Sequence, residues 1–345
     1  MNALPQGYSM QPIALEDVPR LVRFVNAYAR RFTGRDAMTE DRLRTQLTTP
    51  GLDLATSAQL IRDPSDEPIA AGIVFHRDPH VTVHAWGLVD ETHLGVGIGR
   101  CLHGWILERA RTAVEMAPDD ARVVVQQNTF DGNAAAEAFL EAAGYTQTRH
   151  YWRMSIDLDT DDPPSPVWPA GIVVCTFDPE SDLEAGVRAT RDAFRDHYGF
   201  VAGSIEGDID RTRHWIEGAP DFDPTLWFLA RDGEEVAGLC LCAPSAAEES
   251  RVGYVQTLGV RPPRRRRGLG RALLLHAFGE FRRRGADGVA LHVDSQSLTG
   301  ATRLYESVGM RVDELSHTYE LELRPGVDLA AKAPAGSLRG SEEAA

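Results

Sequence analysis

The 345-residue chain carries a formal net charge of −15 at pH 7, and its residues are 43% apolar and 25% charged, values typical of globular proteins. Such an acidic surface repels nucleic acid and anionic membranes, so we expect neither as a partner, whereas a cationic small molecule such as an amine is favoured. No apolar run approaches the roughly 20 residues of a membrane span, and no signal-peptide pattern is recognised. Four cysteines suit a reducing compartment, so we expect a cytoplasmic protein.

The spacing of apolar residues predicts the elements of the first half. For example, Leu21, Val22, Val25 and Tyr28 recur at helical spacing. In chain order we expect a strand near residues 8–13, helices over 15–32 and from Thr39, two strands on either side of residues 64–68, a strand over 80–89, a helix after the glycines at 95–99, the strand RVVVQQNTF, the helix NAAAEAFLEAAGY and the strand TRHYWRMSIDL.

Residues 159–171, DTDDPPSPVWPAG, are acidic and proline-rich, which is typical of a linker. After them the same order of elements repeats, from the strand IVVCTF to the strand HTYELEL. A repeat unit of about 160 residues indicates two similar domains rather than a solenoid. We therefore predict domains over 1–158 and 172–324, followed by a disordered tail over 325–345 that lacks periodic apolar residues.

One stretch of the second half, VRPPRRRRGLGRALLL, joins a predicted strand to a predicted helix. Gly268 and Gly270 let a ligand approach the backbone closely, and the N–H groups of the first helical turn, from Leu269 onward, favour an anion. Cationic side chains of this stretch add donors suited to phosphate; they belong to Arg265, Arg266, Arg267 and Arg271. The pattern predicts a cradle for a pyrophosphate.

Three other interpretations of this stretch are less favoured. A basic run can bind nucleic acid, but this chain is acidic and the run lies between a strand and a helix. A Walker A loop needs Lys followed by Ser or Thr, whereas the sequence has Arg271-Ala272, and a dinucleotide fingerprint needs a third glycine. What remains is a phosphate ligand with a long tail, such as coenzyme A.

The pattern V-x-P-x-x-R-x-x-G-x-G-x-x-L, which runs here from Val260 to Leu273, resembles motif A of the GNAT superfamily of acyl-CoA N-acyltransferases. The later segment TGATRLYESVGM is similar to that family's A-x-x-x-Y-x-x-x-G-F segment, with Tyr305 at the tyrosine that is the general acid in many members. The resemblance implies an α/β (α+β) fold of two tandem GNAT-like domains, each a mixed, mostly antiparallel sheet flanked by helices.

The same resemblance implies roles for further residues. The backbone of Leu258, Gly259 and Val260 would bind the thioester, with the N–H of Leu258 or Gly259 at its carbonyl oxygen. Tyr305 would protonate the leaving thiolate. Ser297 stands where the family commonly has an asparagine that contacts the pantetheine arm. Acetyl-CoA is then the acyl donor, and no metal is expected.

The sequence leaves open which base deprotonates the acceptor. Many family members have a glutamate near the position of Tyr254, and a tyrosine, with a pKa of about 10, is a poor base. Tyr254 is the first candidate, through a water relay. Glu248, Glu249 and Asp294 are other candidates, and water alone is a further alternative.

The two halves differ at the residues that carry the chemistry. Residues 94–99, LGVGIG, stand where residues 265–270, RRRGLG, stand in the second half, so the glycines are kept but the cationic side chains are lost, apart from Arg100. Leu140 stands where Tyr305 stands. A leucine has no proton to donate. We therefore expect a degenerate, structural N-terminal domain and a catalytic C-terminal domain, the division found in tandem GNAT proteins of the mycothiol synthase type. Weak acyl-CoA binding by the backbone amides of the first half is the alternative.

The resemblance assigns the acceptor pocket largely to the first two helices of a domain and its last hairpin. There we expect His197, Tyr198 and Trp215 to bind the acceptor, although ordinary packing between domains explains such an aromatic cluster equally well. Cys240 and Cys242 alternate along one strand and are expected to face opposite sides of the sheet, which disfavours a disulfide or a metal between them.

The sequence as a whole predicts an acetyl-CoA-dependent N-acetyltransferase that transfers an acetyl group to the primary amine of a small molecule, with its active site in the C-terminal domain. Two alternatives stay open: a non-catalytic acyl-CoA-binding sensor or partner module, and an acetyltransferase of a peptide or protein amine. The acceptor, the length of the acyl group and the oligomeric state do not follow from the sequence.

Overall fold

A computed structural model describes residues 4–158, 163–246, 249–297 and 300–331 of the chain. The strands are β1 (Ser9–Pro12), β2 (Ala58–Arg62), β3 (Pro68–His76), β4 (Thr82–Val89), β5 (Val123–Phe130), β6 (Thr146–Asp157), β7 (Ile172–Thr176), β8 (Trp227–Asp232), β9 (Glu235–Ala243), β10 (Val252–Val260), β11 (Gly288–Asp294) and β12 (Arg311–Arg324). The helices are α1 (Val18–Thr33), α2 (Glu40–Leu47), α3 (Leu54–Ser57), α4 (Ile98–Met116), α5 (Ala134–Ala142), α6 (Leu183–Phe194), α7 (Ile205–Gly218), α8 (Leu269–Arg283) and α9 (Ala301–Ser307). None of these helices is long and apolar enough to cross a membrane, and the cytoplasmic location stays a prediction.

The strands form one sheet in the order β1-β2-β3-β4-β5-β12-β6-β11-β10-β9-β8-β7. Two neighbouring pairs, β4–β5 and β10–β11, run parallel, and the other pairs run antiparallel. Each parallel pair is connected through a long helix, α4 or α8, because parallel neighbours need a crossover connection. The mixed, mostly antiparallel sheet flanked by helices that the sequence predicts is confirmed.

The last strand of each half lies beside the fifth strand of the other half. Strand β12 pairs with β5, for example at Thr318 and Asn128, and strand β6 pairs with β11, for example at Met154 and Leu291. The two last strands also pair with each other at the centre of the sheet. The halves are therefore interlocked by strand exchange, and the boundaries 1–158 and 172–324 stay a division drawn from the sequence.

Helix α8 packs its apolar face on the C-terminal part of the sheet. Leu273, Phe278 and Phe281 are fully buried there, and burial of one such side chain contributes about 1.5–3 kcal/mol. Position 253 of β10 requires glycine, because a Cβ atom on Gly253 would come within 2.3 Å of the Phe281 ring. This packing fixes the start of α8 beside the end of β10, where the glycine-rich stretch lies.

The predicted tail and linker are partly ordered. Disorder is predicted from residue 325, but Val327 pairs with Ala121 and the backbone N–H of Ala331 donates to Phe200 O, so residues 325–331 are held against the rest of the chain. Residues 332–345 lie outside the described residues, as do residues 159–162 of the linker. Trp168, also in the linker, packs against the core of the C-terminal half.

The expectation for Cys240 and Cys242 is wrong. Residues two apart on a strand share one face of the sheet, because side chains alternate with a period of two. The two sulfur atoms lie 3.6 Å apart in the buried core, and both cysteines are free thiols.

Candidate functional site

Strand β10 leaves its parallel neighbour β11 halfway along. The pairing of β10 with β11 ends at Val255 and Leu291, whereas the pairing of β10 with β9 continues to Val260. The register with β9 shifts between Val255 and Thr257, which marks a bulge at Gln256, and bulges commonly re-aim a strand beside active sites. The backbone edge of residues 256–260 that faces β11 therefore has no partner on that strand.

We call the gap between the diverging ends of β10 and β11 the C-terminal wedge. It holds a cavity of about 1230 Å³, whose wall includes Leu258, Gly259, Val260, Leu269 and Gly270. Arg264, Arg265, Arg266, Arg271, Ser297 and Tyr305 also line it. The structure thus brings most of the predicted acyl-CoA residues to one cavity, whereas Arg267 is on the same loop but is not part of the cavity wall.

The loop before α8 has the same backbone shape as its counterpart in the first half. Gly268 has a φ of 82° and Gly97 has a φ of 96°, and each immediately precedes a long helix. Two positions earlier, Arg266 has a φ of 60° where the first half has Gly95 with a φ of 78°. A left-handed conformation costs a non-glycine residue about 1–2 kcal/mol. The second half therefore carries a cationic side chain at a position whose backbone favours glycine.

The arginines of this stretch divide into paired and unpaired groups. Arg265 donates to Asp196, with one N–O distance of 2.8 Å, and to the carbonyl oxygens of Ala193 and Val260. Arg264 pairs with Asp232 at 2.9 Å. By contrast, the guanidinium groups of Arg266 and Arg271 have no ion-pair partner among the described residues, and both line the wedge. These two, rather than Arg265, are the cations available to a phosphate.

Tyr305 lies in α9 at the inner wall of the wedge. Its side chain is 7% exposed, and burial raises the pKa of the phenol, followed by a smaller effect of Cys240. Its hydroxyl makes no hydrogen bond to a described residue. A buried phenol with a raised pKa is neutral at physiological pH, so Tyr305 carries a proton, but it is a weaker acid than an exposed tyrosine and gives the proton up only to a basic group such as a thiolate.

Tyr254 is not brought to the wedge. It lies before the bulge, where β10 still pairs with β11 at Ala290. Its hydroxyl is 2.7 Å from His292 Nδ1, and burial raises the pKa of the phenol. The sequence places Tyr254 near the family's glutamate, but Tyr254 does not itself line the cavity and borders it only through His292, which does. Of the other candidate bases, Glu248 lies outside the described residues, Glu249 pairs with Arg153, and Asp294 lines the wedge.

His197 and Tyr198 follow α6 and line the wedge. The His197 ring lies edge-on to Phe194 at 4.5 Å between centroids. Burial lowers the pKa of His197, while the neighbouring Asp196 partly offsets this. The imidazole is therefore neutral at pH 7 and can accept a proton, a property that the sequence does not reveal.

Trp215 lines a second cavity, which we call the aromatic cavity. This cavity has a volume of about 540 Å³ and lies between α6, α7 and the sheet. Trp215 is stacked on Trp227 with ring centroids 5.6 Å apart and an interplanar angle of 15°. The two cavities share Phe194, Phe200, Gln256 and Thr257 as wall residues, so the aromatic cavity borders the wedge beside the bulge of β10.

The first half has a similar gap between two diverging strands, but it lacks most of the functional side chains of the C-terminal wedge. Strand β4 pairs with β5 from Thr82 to His84 and then diverges. Leu140, at the position of Tyr305, is buried in the apolar core of that half. Leu94 and Val96 are exposed on its glycine loop, with relative exposures of 48% and 52%. Of the two arginines available to a phosphate, Arg266 is thus replaced by Gly95 in the first half, whereas Arg271 has a cationic counterpart in Arg100.

The C-terminal wedge fits acetyl-CoA. It combines a helix N-terminus, two unpaired guanidinium groups and an unpaired strand edge, which suit a pyrophosphate and an amide-rich arm. A Cβ atom on Gly270 would come 3.4 Å from Leu304 across the wedge, so the glycine keeps this passage open. A cluster of Asp131, Glu137 and His317 elsewhere could hold a metal ion, but it is not part of this site.

Residues 187–310 match the Acetyltransferase (GNAT) family. The mycothiol acetyltransferase of Streptomyces scabiei is 32% identical to this chain over 281 residues, which are 81% of this chain and 80% of the relative. The mycothiol acetyltransferase of Thermobispora bispora is 37% identical over 182 residues, which are 52% of this chain and 59% of the relative.

Two solved structures resemble the fold over almost the whole chain. A GCN5-related N-acetyltransferase from Sphaerobacter thermophilus has a TM-score of 0.77 and 32% identity, and covers 95% of this chain and 99% of its own. A tandem GNAT protein from the clavulanic acid biosynthesis pathway has a TM-score of 0.70 and 16% identity, and covers 92% of this chain and 99% of its own; it supports the tandem fold alone. This chain therefore belongs to the GNAT family of acetyltransferases, whose acyl donor is acetyl-CoA.

Proposed function

We propose that the protein transfers the acetyl group of acetyl-CoA to the primary amine of a small molecule, and that it does so in the C-terminal wedge. The observation that carries this proposal is the meeting of three features in one cavity: the open strand edge of residues 256–260, the helix N-terminus beside Arg266 and Arg271, and the buried Tyr305. The name mycothiol acetyltransferase of the relatives supports a small molecule as the acceptor.

The donor is held by charge at one end and by backbone at the other. The first turn of α8, with Arg266 and Arg271, binds the pyrophosphate through N–H groups and guanidinium donors. Ser297 lines the path of the pantetheine arm. The bound thioester supplies an activated acetyl group, and the N–H of Leu258 or Gly259 stabilises the charge that develops on its carbonyl oxygen.

Acyl transfer moves two protons. The acceptor nitrogen attacks the thioester carbon, a C–N bond forms, and the C–S bond breaks. Tyr305, kept neutral by burial, donates its proton to the leaving thiolate and regains a proton from solvent after the thiol is released. His197, neutral at pH 7, accepts the proton that the acceptor nitrogen loses, directly or through one water. Asp294 also lines the wedge and adds to the negative potential that stabilises the imidazolium.

A turnover assay tests this proposal. Purified protein is given acetyl-CoA with polyamines, aminoglycosides, amino acids or peptides, and thiol release is compared with the rate without amine. The proposal expects amine-dependent release with at least one small amine and acetylated amine as the product. Release that never exceeds the amine-free rate, with acetyl-CoA bound, would favour the non-catalytic sensor instead. Release with peptides alone would favour a peptide or protein acceptor.

A further inference from the structure

The aromatic cavity is cationic at one side and apolar at the other. Its apolar wall is formed by stacked and edge-on aromatic rings, including Trp215 and Trp227. Among the residues that line it, the ionisable ones are Arg77, Arg191, Arg211 and Asp208. Three guanidinium groups therefore face one carboxylate, which leaves an excess of positive charge in a cavity of a chain whose net charge is −15.

Two of these arginines already have ion-pair partners within the protein. Arg191 pairs with Asp208 Oδ2 and donates to Gly203 O at 2.8 Å, and Arg211 pairs with Asp208 Oδ1. Arg77 differs, because its guanidinium makes no hydrogen bond or ion pair to a described residue. Burial and the charge of Arg211 lower the pKa of Arg77, while the charge of Asp208 partly offsets this. Arg77 is exposed, so its guanidinium is reached by solvent as well as by the cavity, and it is free to pair with a carboxylate bound there.

Arg77 comes from the first half of the chain, whereas most of the cavity comes from the second half. It directly follows β3, and the neighbouring Asp78 packs on the loop before α7 so closely that a Cβ atom on Gly203 would lie 2.7 Å from Asp78 O. This contact positions Arg77 at the cavity. The first half therefore contributes a wall residue to a cavity formed mostly by the second half.

We propose that the aromatic cavity binds a carboxylate of the acceptor through Arg77, so that the acceptor is an amine with an apolar body and an acid group. This rests on the proposed function above. The cavity volume of about 540 Å³ suits a small ligand. An acceptor whose acid lies at Arg77 and whose apolar body lies on Trp215 would extend towards the wall that the aromatic cavity shares with the wedge. A single free guanidinium matches a single negative charge.

The test uses a probe without an amine, so that its result does not depend on turnover. Binding of 3-phenylpropionate and of its amide, 3-phenylpropanamide, is measured by calorimetry with coenzyme A present. We expect the acid to bind at least about tenfold more tightly than the amide, because a charge-assisted hydrogen bond to Arg77 is lost in the amide. Arg77→Gln should reduce this preference to below about twofold, and Arg77→Lys should retain part of it.

The control is Arg188→Gln, since Arg188 pairs with Glu184 on the surface of α6 and lines neither cavity. This variant should keep the wild-type preference, and circular dichroism checks that each variant is folded. Equal affinity for acid and amide, a preference that survives Arg77→Gln in the folded protein, or no binding of either probe at millimolar concentration would overturn the inference. If the acid preference is present but no amine is acetylated, the proposed function fails and the carboxylate site stands.

Discussion

Arg265 and Asp196 form a bidentate ion pair that joins the glycine-rich loop to the end of helix α6, with one N–O distance of 2.8 Å. The same guanidinium donates to the carbonyl oxygens of Val260 and Ala193. The pairing lowers the pKa of Asp196. Arg265, which the sequence predicts as a phosphate ligand, therefore links the loop to helix α6, and in the proposed function Arg266 and Arg271 bind the donor.

We therefore expect Arg265 to contribute mainly to the stability of the fold and Arg271 mainly to the affinity for acetyl-CoA. Arg265→Gln should lower the free energy of unfolding by roughly 1–2 kcal/mol, because two hydrogen bonds to backbone carbonyls are lost. Arg271→Gln should leave stability within about 0.5 kcal/mol and weaken acetyl-CoA binding roughly tenfold, with a smaller dependence on salt. Urea unfolding and calorimetry measure the two effects. Equal losses of affinity with unchanged stability in both variants would contradict the division.

Tyr305→Phe should lower kcat by roughly 10- to 100-fold, because the thiolate loses its proton donor. The acetyl-CoA affinity should stay within about twofold, since the ring remains in place. Tyr145→Phe is the matched control: this tyrosine is buried in the first half and accepts a hydrogen bond from Gln127 at 2.8 Å, so its loss should affect stability and not kcat. Steady-state kinetics and calorimetry check both, and an unchanged kcat in Tyr305→Phe would remove Tyr305 from the mechanism.

The pKa of His197 is lowered by burial, so its basic form persists to a pH below the ordinary value of about 6.5 for histidine. The kcat of the wild-type protein should therefore stay level down to that value and fall only at more acidic pH. His197→Gln should lower kcat at neutral pH by at least about tenfold and remove the fall of kcat at acidic pH, the acidic limb of the profile. A pH profile of kcat at saturating substrates measures both. An acidic limb that persists in the variant would assign it to another group, such as Asp294.

The first half contains a histidine that makes stability depend on pH. Burial, and to a lesser extent the neighbouring His80 and Arg109, lower the pKa of His76 to about 4. Because the unfolded chain binds its proton more readily, stability is complete above the unfolded pKa of about 6.5 and is lost as the pH falls towards 4. Since His76 is only half-buried, we expect a loss of about 1 kcal/mol between pH 7 and pH 5. Urea unfolding at both pH values should show a smaller loss in His76→Gln; an identical loss would exclude His76 as the cause.

Local patterns in the sequence predict the order of elements and the loop before α8. The glycines directly precede a helical apolar repeat, and Tyr305 follows them at a fixed spacing. Both signals therefore lie in one continuous segment of the sequence. The strand exchange is different. Strands β6 and β12 have similar apolar alternation, so the sequence does not determine whether each of them pairs with β5 or with β11. That pairing depends on contacts between residues that are distant in the sequence.

The rest of the site could not be predicted from the sequence, because the roles of its side chains depend on how deeply they are buried and on which residues they pair with. Arg265 looks like any arginine of the basic run until Asp196, on another element, is placed beside it. His197 becomes a neutral base only through its surroundings. Arg77 lies in an unremarkable turn of the first half, and only the fold brings it to a cavity of the second half.

The central claim is that one working donor site exists per chain and that it lies in the C-terminal wedge. A calorimetric titration of acetyl-CoA into the wild-type protein, Gly270→Glu and the matched variant Gly99→Glu tests it most directly. A Cβ atom meets no atom closer than 3.4 Å at Gly270 and 3.8 Å at Gly99, so both variants can fold, and each glutamate places a negative charge at its own loop. We expect one site in the wild type, one site in Gly99→Glu and none in Gly270→Glu. Binding that survives in Gly270→Glu and is lost in Gly99→Glu would contradict the claim and move the donor to the first half.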